Sequence, residues 1–440
     1  MKVGFRRGIF GPMQIDILTI GDEILLGQTI DTNSAWMAQA LNPHGIAVRQ
    51  ITTIEDTPEA IRASVEAALD ASPVVLVTGG LGPTRDDVTK ETLAEMFGMT
   101  LVEHAPTLEA IEAFFDRRNR PMLEVNRRQA WLPDGCTILP NPIGTAAGMW
   151  FERPSDDHIV VSMPGVPYEM KGLMTNEVIP RLTKRFELPA RVSTTLLTAG
   201  IGESFLAEHV KDWEDSLDAR GVSIAYLPSP GQVRVRLGAV DADRSAAEAR
   251  VASAVADFKA LAGDWIASDF DEGLAAAVGR RLAAAGQTLS TAESCTGGSI
   301  AAEVTSIAGS SAYFQGSVIA YANNVKMAML GVPSSDLEAH GAVSEPVARA
   351  MAEGVRRVLG TDWSIATTGI AGPSGGSEEK PVGTVWIACA GTGTGTGTGT
   401  TVRRFQFAGN RERIIQQSVR AALDMLRREL DLVQGKKSST

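Results

Sequence analysis

The run PVVLVTGG at 73–80 constrains the fold most. Its unbroken apolar stretch reads as a buried strand, and two glycines end it in a loop. A strand without a polar face needs helices on both sides of its sheet. The neighbouring sequence provides them. QIDILTI at 14–20 and GIAVRQITTI at 45–54 read as further strands. Thr32, Asn33 and Ser34 offer caps for a helix over 35–42. TPEAIRASVEAALD reads as a helix with Pro58 near its first turn, and another helix is expected from Val88 to Phe97. Shorter strands are expected near 137–140, 147–151 and 158–162. The loop MPGVPYEM then leads into a helix expected to stop by Pro180. This alternation predicts a mostly parallel, three-layer α/β sheet.

A chain of 440 residues is too long for one core, so two or three domains are expected. Residues 183–265 change character. A strand, a helix over GESFLAEHVKDWEDSL, a hairpin and a second helix give the order βαββα, a small α+β domain. From Asp271 a second α/β pattern starts. The expected divisions are an extension at 1–12, an α/β domain at 13–182, a small α+β (KH-like) connecting domain at 183–268 and a second α/β domain at 269–435. Gly11, Pro12, Gln14 and Asp16 break the early apolar run, which argues against a signal peptide; the first twelve residues read as an extension, and Met13 could be the natural start. The repeat GTGTGTGTGT at 391–400 reads as an expanded hairpin loop without function.

Composition narrows the partners. Forty-one Lys and Arg against 52 Asp and Glu give a net charge of −11. No basic stripe is in view, so nucleic acid is not an expected partner. Three cysteines far apart fit a reducing cytoplasm rather than a disulfide framework. No segment has the roughly 18 apolar residues of a membrane helix, so no membrane partner is expected.

TAESCTGG at 291–298 joins a strand to a helix by a sharp turn. Such a turn presents Ser294 or Cys295 at the top of a sheet beside free backbone N–H groups. The strand SVIAY ends at Tyr321, and ANNVKMAMLGVP follows as a short helix capped by Asn323 or Asn324, with Lys326 in its first turn. A helix N-terminus disfavours an ammonium, which makes a neutral, basic lysine easier to reach. A serine with a lysine base suits attack on an amide or ester carbonyl. Amides of Thr296, Gly297 and Gly298 could hold the oxyanion. TTGIAGPSGG at 367–376, with Thr368, Gly369 and Gly372, suits a phosphate. Each residue also has a plainer reading: Ser294 as a helix cap, Lys326 as a surface charge, Tyr321 as packing, Cys295 as a small core residue.

Together these three motifs resemble the CinA family, over about 270–435. The resemblance implies a nicotinamide mononucleotide deamidase with Ser294 as nucleophile, Tyr321 and Lys326 beside it and no cofactor. Lys326, directly or through Tyr321, would take the serine proton.

At the other end, TGGLGPTRDDVTK at 78–90 places Gly79, Gly80, Gly82 and Thr84 where a phosphate can approach backbone. Asp86 and Asp87 follow as candidate ligands of a divalent metal, or Asp87 simply caps the next helix. Asp22 and Glu23 stand at another strand end, and the loops NPIGTAAGMW and MPGVPYEM add two more. This set is similar to the molybdopterin-binding fold and to the N-terminal domain of the CinA family, over about 14–180, with Ala147 where proline is expected. It implies an ADP-ribose pyrophosphatase using Mg, Mn or Co, and a homodimer. The other readings are a molybdopterin-binding or nucleotidyl-transfer protein, and a non-enzymatic partner in competence or DNA repair.

Overall fold

A computed structural model describes residues 13–84, 86–153, 155–391, 399–433 and 435. The expected extension at 1–12 and most of the GT repeat lie outside these. Contacts divide the chain into two units, one of residues 1–192 and 240–248, the other of 193–239 and 249–440.

The strands of the first unit are β1 (Met13–Ile20), β2 (Ile46–Ile54), β3 (Val74–Thr78), β4 (Leu101–Glu103), β5 (Trp131–Pro133), β6 (Thr137–Leu139), β7 (Gly148–Arg153) and β8 (His158–Met163). Six form one sheet in the order β2-β1-β3-β8-β7-β6. The first four are parallel, and β7 and β6 run antiparallel to their neighbours. The alternation of side chains along β3 makes the three layers. Val74 and Leu76 join a cluster with Met37, Leu41, Met170 and Leu182 on one face. Val75 and Val77 join Ile61, Val65, Leu69 and Leu93 on the other. Asp31, not the three residues after it, caps the first long helix by accepting from the Ser34 N–H. Thr57 caps the next, ahead of Pro58. Each such cap is worth about 1 kcal/mol.

The helix after MPGVPYEM does not stop by Pro180. It runs from Pro167 through a wide π-type turn at Met174–Val178 and continues to Arg185. Proline lacks an N–H and clashes with the carbonyl four residues back in a regular helix; the wide turn relieves both faults. Residues 98–134 add a lobe of β4, β5 and the helix Ala105–Asp116.

The second unit holds most of the small domain, with β9 (Ala190–Ala199), β10 (Ser223–Ser229), β11 (Gln232–Asp241) and β12 (Ile266–Ser268) in the order β10-β11-β9-β12. The single helix expected over 202–217 breaks at Val210, which is buried. The second α/β sheet comprises β13 (Leu289–Glu293), β14 (Phe314–Ile319), β15 (Trp363–Gly369), β16 (Thr384–Gly391) and β17 (Thr400–Gln406), in the order β14-β13-β15-β16-β17. The first three are parallel. Large residues such as Leu289 and Ile365 face one core, and alanines 292, 366 and 388 face the other. The α/β class expected from the sequence holds for both sheets. No helix among the described residues is long and apolar enough to cross a membrane.

Candidate active sites

Strand β13 lies between β14 and β15, so the chain crosses over to either side from its C-terminal end and opens a crevice there. In register, Glu293 lies beside Ile319 on β14 and Thr367 on β15. The residues that follow these three positions, Ser294, Ala320–Tyr321 and Thr368, therefore meet at one sheet edge. The turn after Ser294 needs its glycines: Gly297 has φ 61° and Gly298 φ 99°.

Lys326 is 1% exposed and Ser294 9%. The Lys326 Nζ lies 3.2 Å from Ser294 Oγ, 2.9 Å from the Ala320 carbonyl and 3.1 Å from the Tyr321 carbonyl. Burial pushes the Lys326 amine below its ordinary range. Burial, rather than the helix terminus, is the leading cause. A neutral amine has two N–H groups and one lone pair. As an ammonium, Lys326 donates to all three oxygens; in its neutral form, with its two hydrogens on the carbonyls, the lone pair would face the serine hydroxyl.

Glu293, overlooked in the sequence, organises the turn. It is fully buried, and its carboxylate accepts from the N–H groups of Gly298 at 3.0 Å, Ile300 at 3.1 Å and Ala301 at 2.8 Å. The Gly298 amide is thus occupied, and the Gly297 amide bonds the Ser294 carbonyl. Neither is free for an oxyanion as first expected. The N–H groups of Cys295 and Thr296 bond no backbone carbonyl among the described residues, and that of Cys295 lies beside its own thiol. A signal was present: an acid five residues before the second glycine at a strand-to-helix turn can bend back to cap that helix.

Cys295 packs in the core, and burial pushes its thiol up to about 12. A thiol held protonated is a poor nucleophile at neutral pH. Tyr321 is 61% exposed, and its hydroxyl accepts from Arg411 at 3.1 Å. The structure gives Lys326 the Tyr321 carbonyl, not its hydroxyl, and the hydroxyl bonds Arg411, so no proton route to Ser294 runs through the ring. Asn323 and Asn324 do not cap their helix; Ala322 occupies that position with no side-chain bond. Thr368 Oγ1 donates to the Ala342 carbonyl at 2.7 Å, which takes it out of a phosphate site. Arg411, also overlooked, bridges the Gly372 carbonyl at 2.9 Å and Tyr321, and is exposed beside the glycine loop.

At the first sheet, Gly79 has φ 114°, and a Cβ there would lie 2.2 Å from the Ile20 carbonyl. Only glycine fits this approach of β3 to β1. Asp87 braces the loop: its carboxylate accepts from the N–H groups of Gly82 at 2.7 Å and Thr84 at 2.9 Å, and from the Thr84 hydroxyl. The expected Asp86–Asp87 metal pair is therefore not formed. Asp86 is exposed, and among the described residues no three His, Cys, Asp or Glu side chains converge as a metal site. Asp56 does stand near several acids. Its carboxyl is raised above the ordinary range, by burial first and then by the charges of Asp22, Asp86 and Glu23. Asn141 and Glu169, from the other two loops, meet at 2.6 Å, and burial raises the Glu169 carboxyl. Asn33 Nδ2 donates to the Gly165 carbonyl at 2.7 Å.

Comparison with known proteins fits this anatomy. Residues 271–430 match the family described as CinA C-terminal domain, 16–184 match the probable molybdopterin binding domain, and 193–266 match the damage-inducible protein CinA KH domain. A CinA-like protein of Gemmatimonas aurantiaca is 45% identical over 421 residues, covering 94% of this chain and 96% of that one. One from Flavobacterium psychrophilum is 41% identical over 423 residues, covering 95% and 99%. The crystal structure of competence damage-inducible protein A from Klebsiella pneumoniae is 39% identical, with a TM-score of 0.34, and covers 36% of this chain and 94% of its own. The chain belongs to the CinA family.

Proposed function

We propose that the second α/β domain is an amidohydrolase that converts nicotinamide mononucleotide and water to nicotinic acid mononucleotide and ammonia. One observation carries the reading: a buried amine, pushed below its ordinary range, lies 3.2 Å from a buried serine hydroxyl at a sheet edge. Ser294 Oγ attacks the carboxamide carbon while Lys326 takes its proton. The developing oxyanion is held by the N–H groups of Cys295 and Thr296. Lys326 then passes the proton to the departing ammonia. Water, deprotonated by Lys326, cleaves the ester and restores the serine. Tyr321 and Glu293 are positioning residues, one through its carbonyl and the other through the helix amides. The glycine loop at 370–376 and Arg411 provide the 5′-phosphate site. The test is ammonia release from nicotinamide mononucleotide by purified protein. Turnover that survives Ser294→Ala would end the reading.

A second activity is proposed for the first α/β domain: cleavage of ADP-ribose to AMP and ribose 5-phosphate. The glycines of the 79–84 loop, with positive φ at Gly79 and Gly80, support it as a place where a diphosphate can approach backbone, while the Gly82 and Thr84 amides themselves bond Asp87. Its assay is AMP formation from ADP-ribose, run with Mg²⁺, Mn²⁺ and Co²⁺ in turn and with chelator.

A further inference from the structure

A pocket of about 700 Å³ lies along the last helix, Arg411–Val433, and that volume is in the range of small-molecule sites. Arg411, which holds the 5′-phosphate in the amidohydrolase reading, lines it. So does Ser299, the first residue after the glycines of the catalytic turn. Ser294, Tyr321 and Gly372 do not, so the pocket adjoins the crevice at the phosphate position and extends away from the reacting atoms. Pro230, on the hairpin between β10 and β11, lines it beside Arg420. A Cβ on Gly231 would lie 3.0 Å from the Arg420 Cβ, so the hairpin tip of the small domain rests on the helix there. Arg420 lies nine residues on from Arg411, about 13 Å along the helix axis. The floor between the two is apolar, formed by Ile415 and Val419.

The two arginines differ in what balances them. Arg420 is paired with Glu303. Arg411 bonds the Gly372 carbonyl and the Tyr321 hydroxyl, both neutral, and has no carboxylate partner among the described residues. The uncompensated cation thus stands at one end, where a phosphate or diphosphate is held. Elsewhere the pocket presents Glu412, whose carboxylate accepts from Gln416 at 3.2 Å, and the Ser299 hydroxyl. These groups suit hydroxyls and amino groups and disfavour a further anion. The apolar floor and the proline suit the face of a ring. A nucleoside attached through its phosphate combines all of these features. We propose that this pocket holds the second nucleoside of a pyridine dinucleotide whose nicotinamide half occupies the crevice, so that the dinucleotide and nicotinamide mononucleotide exclude one another. The inference rests on the nicotinamide reading of the crevice. It adds a ligand class and gives the small domain, through Pro230, a place in the wall of the site.

The test is binding, measured apart from turnover. Equilibrium dialysis on the full chain carrying Ser294→Ala compares labelled nicotinamide mononucleotide with labelled NAD, which is the same unit joined to AMP through a diphosphate. Each is measured alone and in competition with the other. NAD is expected to displace nicotinamide mononucleotide completely and to bind at least as tightly. Gln416 is exposed on the helix and lines the pocket, so Gln416→Trp, added to Ser294→Ala, fills the space without touching the core. It is expected to weaken NAD at least tenfold and to leave nicotinamide mononucleotide within twofold, and that retained binding is the check on folding. NAD that fails to bind, NAD that binds without displacing nicotinamide mononucleotide, or equal losses for the two ligands overturns the proposal. The amidohydrolase reading survives any of these if the unmodified chain releases ammonia from nicotinamide mononucleotide. If competition follows the expected pattern and no ammonia is released, only the amidohydrolase reading fails.

Discussion

Replacing Lys326 with methionine removes the base while keeping most of the side-chain volume. Three contacts disappear, those to Ser294 Oγ and to the carbonyls of Ala320 and Tyr321. Leaving a buried carbonyl without its donor costs about 1–3 kcal/mol. Removing a desolvated amine from a site 1% exposed acts in the opposite direction. The net change in stability is therefore expected to stay within about 2 kcal/mol. The kinetic loss is larger. A positioned general base contributes about 10²–10⁴ in rate, or roughly 3–5 kcal/mol of barrier. The assay is steady-state ammonia release from nicotinamide mononucleotide across pH, with circular dichroism as the check on folding. In the unmodified chain kcat is expected to rise with pH as Lys326 loses its proton, with a midpoint below the ordinary lysine value of 10.5. In Lys326→Met, kcat falls by about 10²–10⁴, KM stays within about threefold, and that limb of the profile is gone. A folded variant whose kcat stays within tenfold of the original would refute the reasoning.

Three other outcomes follow from the same geometry. Cys295→Ala is expected to keep activity within about fivefold, because the thiol is held protonated with its pKa pushed up to about 12; complete loss in folded protein would move the nucleophile to Cys295. Arg411→Ala is expected to raise KM for nicotinamide mononucleotide by about 10–100-fold, the worth of a charge-assisted bond, and to leave nicotinamide riboside, which has no phosphate, unaffected. Equal effects on both would remove the phosphate role. Lys326 also links stability to pH. Its folded-state pKa is lowered, so the unfolded chain binds the extra proton between that value and the ordinary 10.5. Stability of the unmodified chain relative to Lys326→Met should therefore rise with pH through that window; a falling difference in urea unfolding would contradict a desolvated amine.

Much of this was legible in the sequence where local pattern and tertiary role agree. PVVLVTGG reads as a buried strand because no residue in it accepts solvent, and the structure buries all of β3. Glycine positions around TAESCTGG were legible because positive φ leaves few alternatives. What failed depended on where a side chain turns. Glu293 looks like a strand end; its role as a cap exists only once the chain reverses and brings three amides over it. Asp86 and Asp87 are neighbours in sequence, yet one faces solvent and the other folds its own loop. Arg411 lies 90 residues from Tyr321, so no local pattern could pair them. Pro180 marked a helix end by propensity, and a wide turn just before it removed the need for one.

The claim beneath the amidohydrolase account is that the reacting group is an oxygen made basic by a neighbour that has lost its proton. Rapid quench of the enzyme with nicotinamide mononucleotide, followed by peptide mass spectrometry, examines that oxygen directly. An acyl adduct on Ser294, absent from Ser294→Ala and formed more slowly in Lys326→Met, is the predicted result. An adduct on Cys295, or undiminished ammonia release by Ser294→Ala, would contradict it.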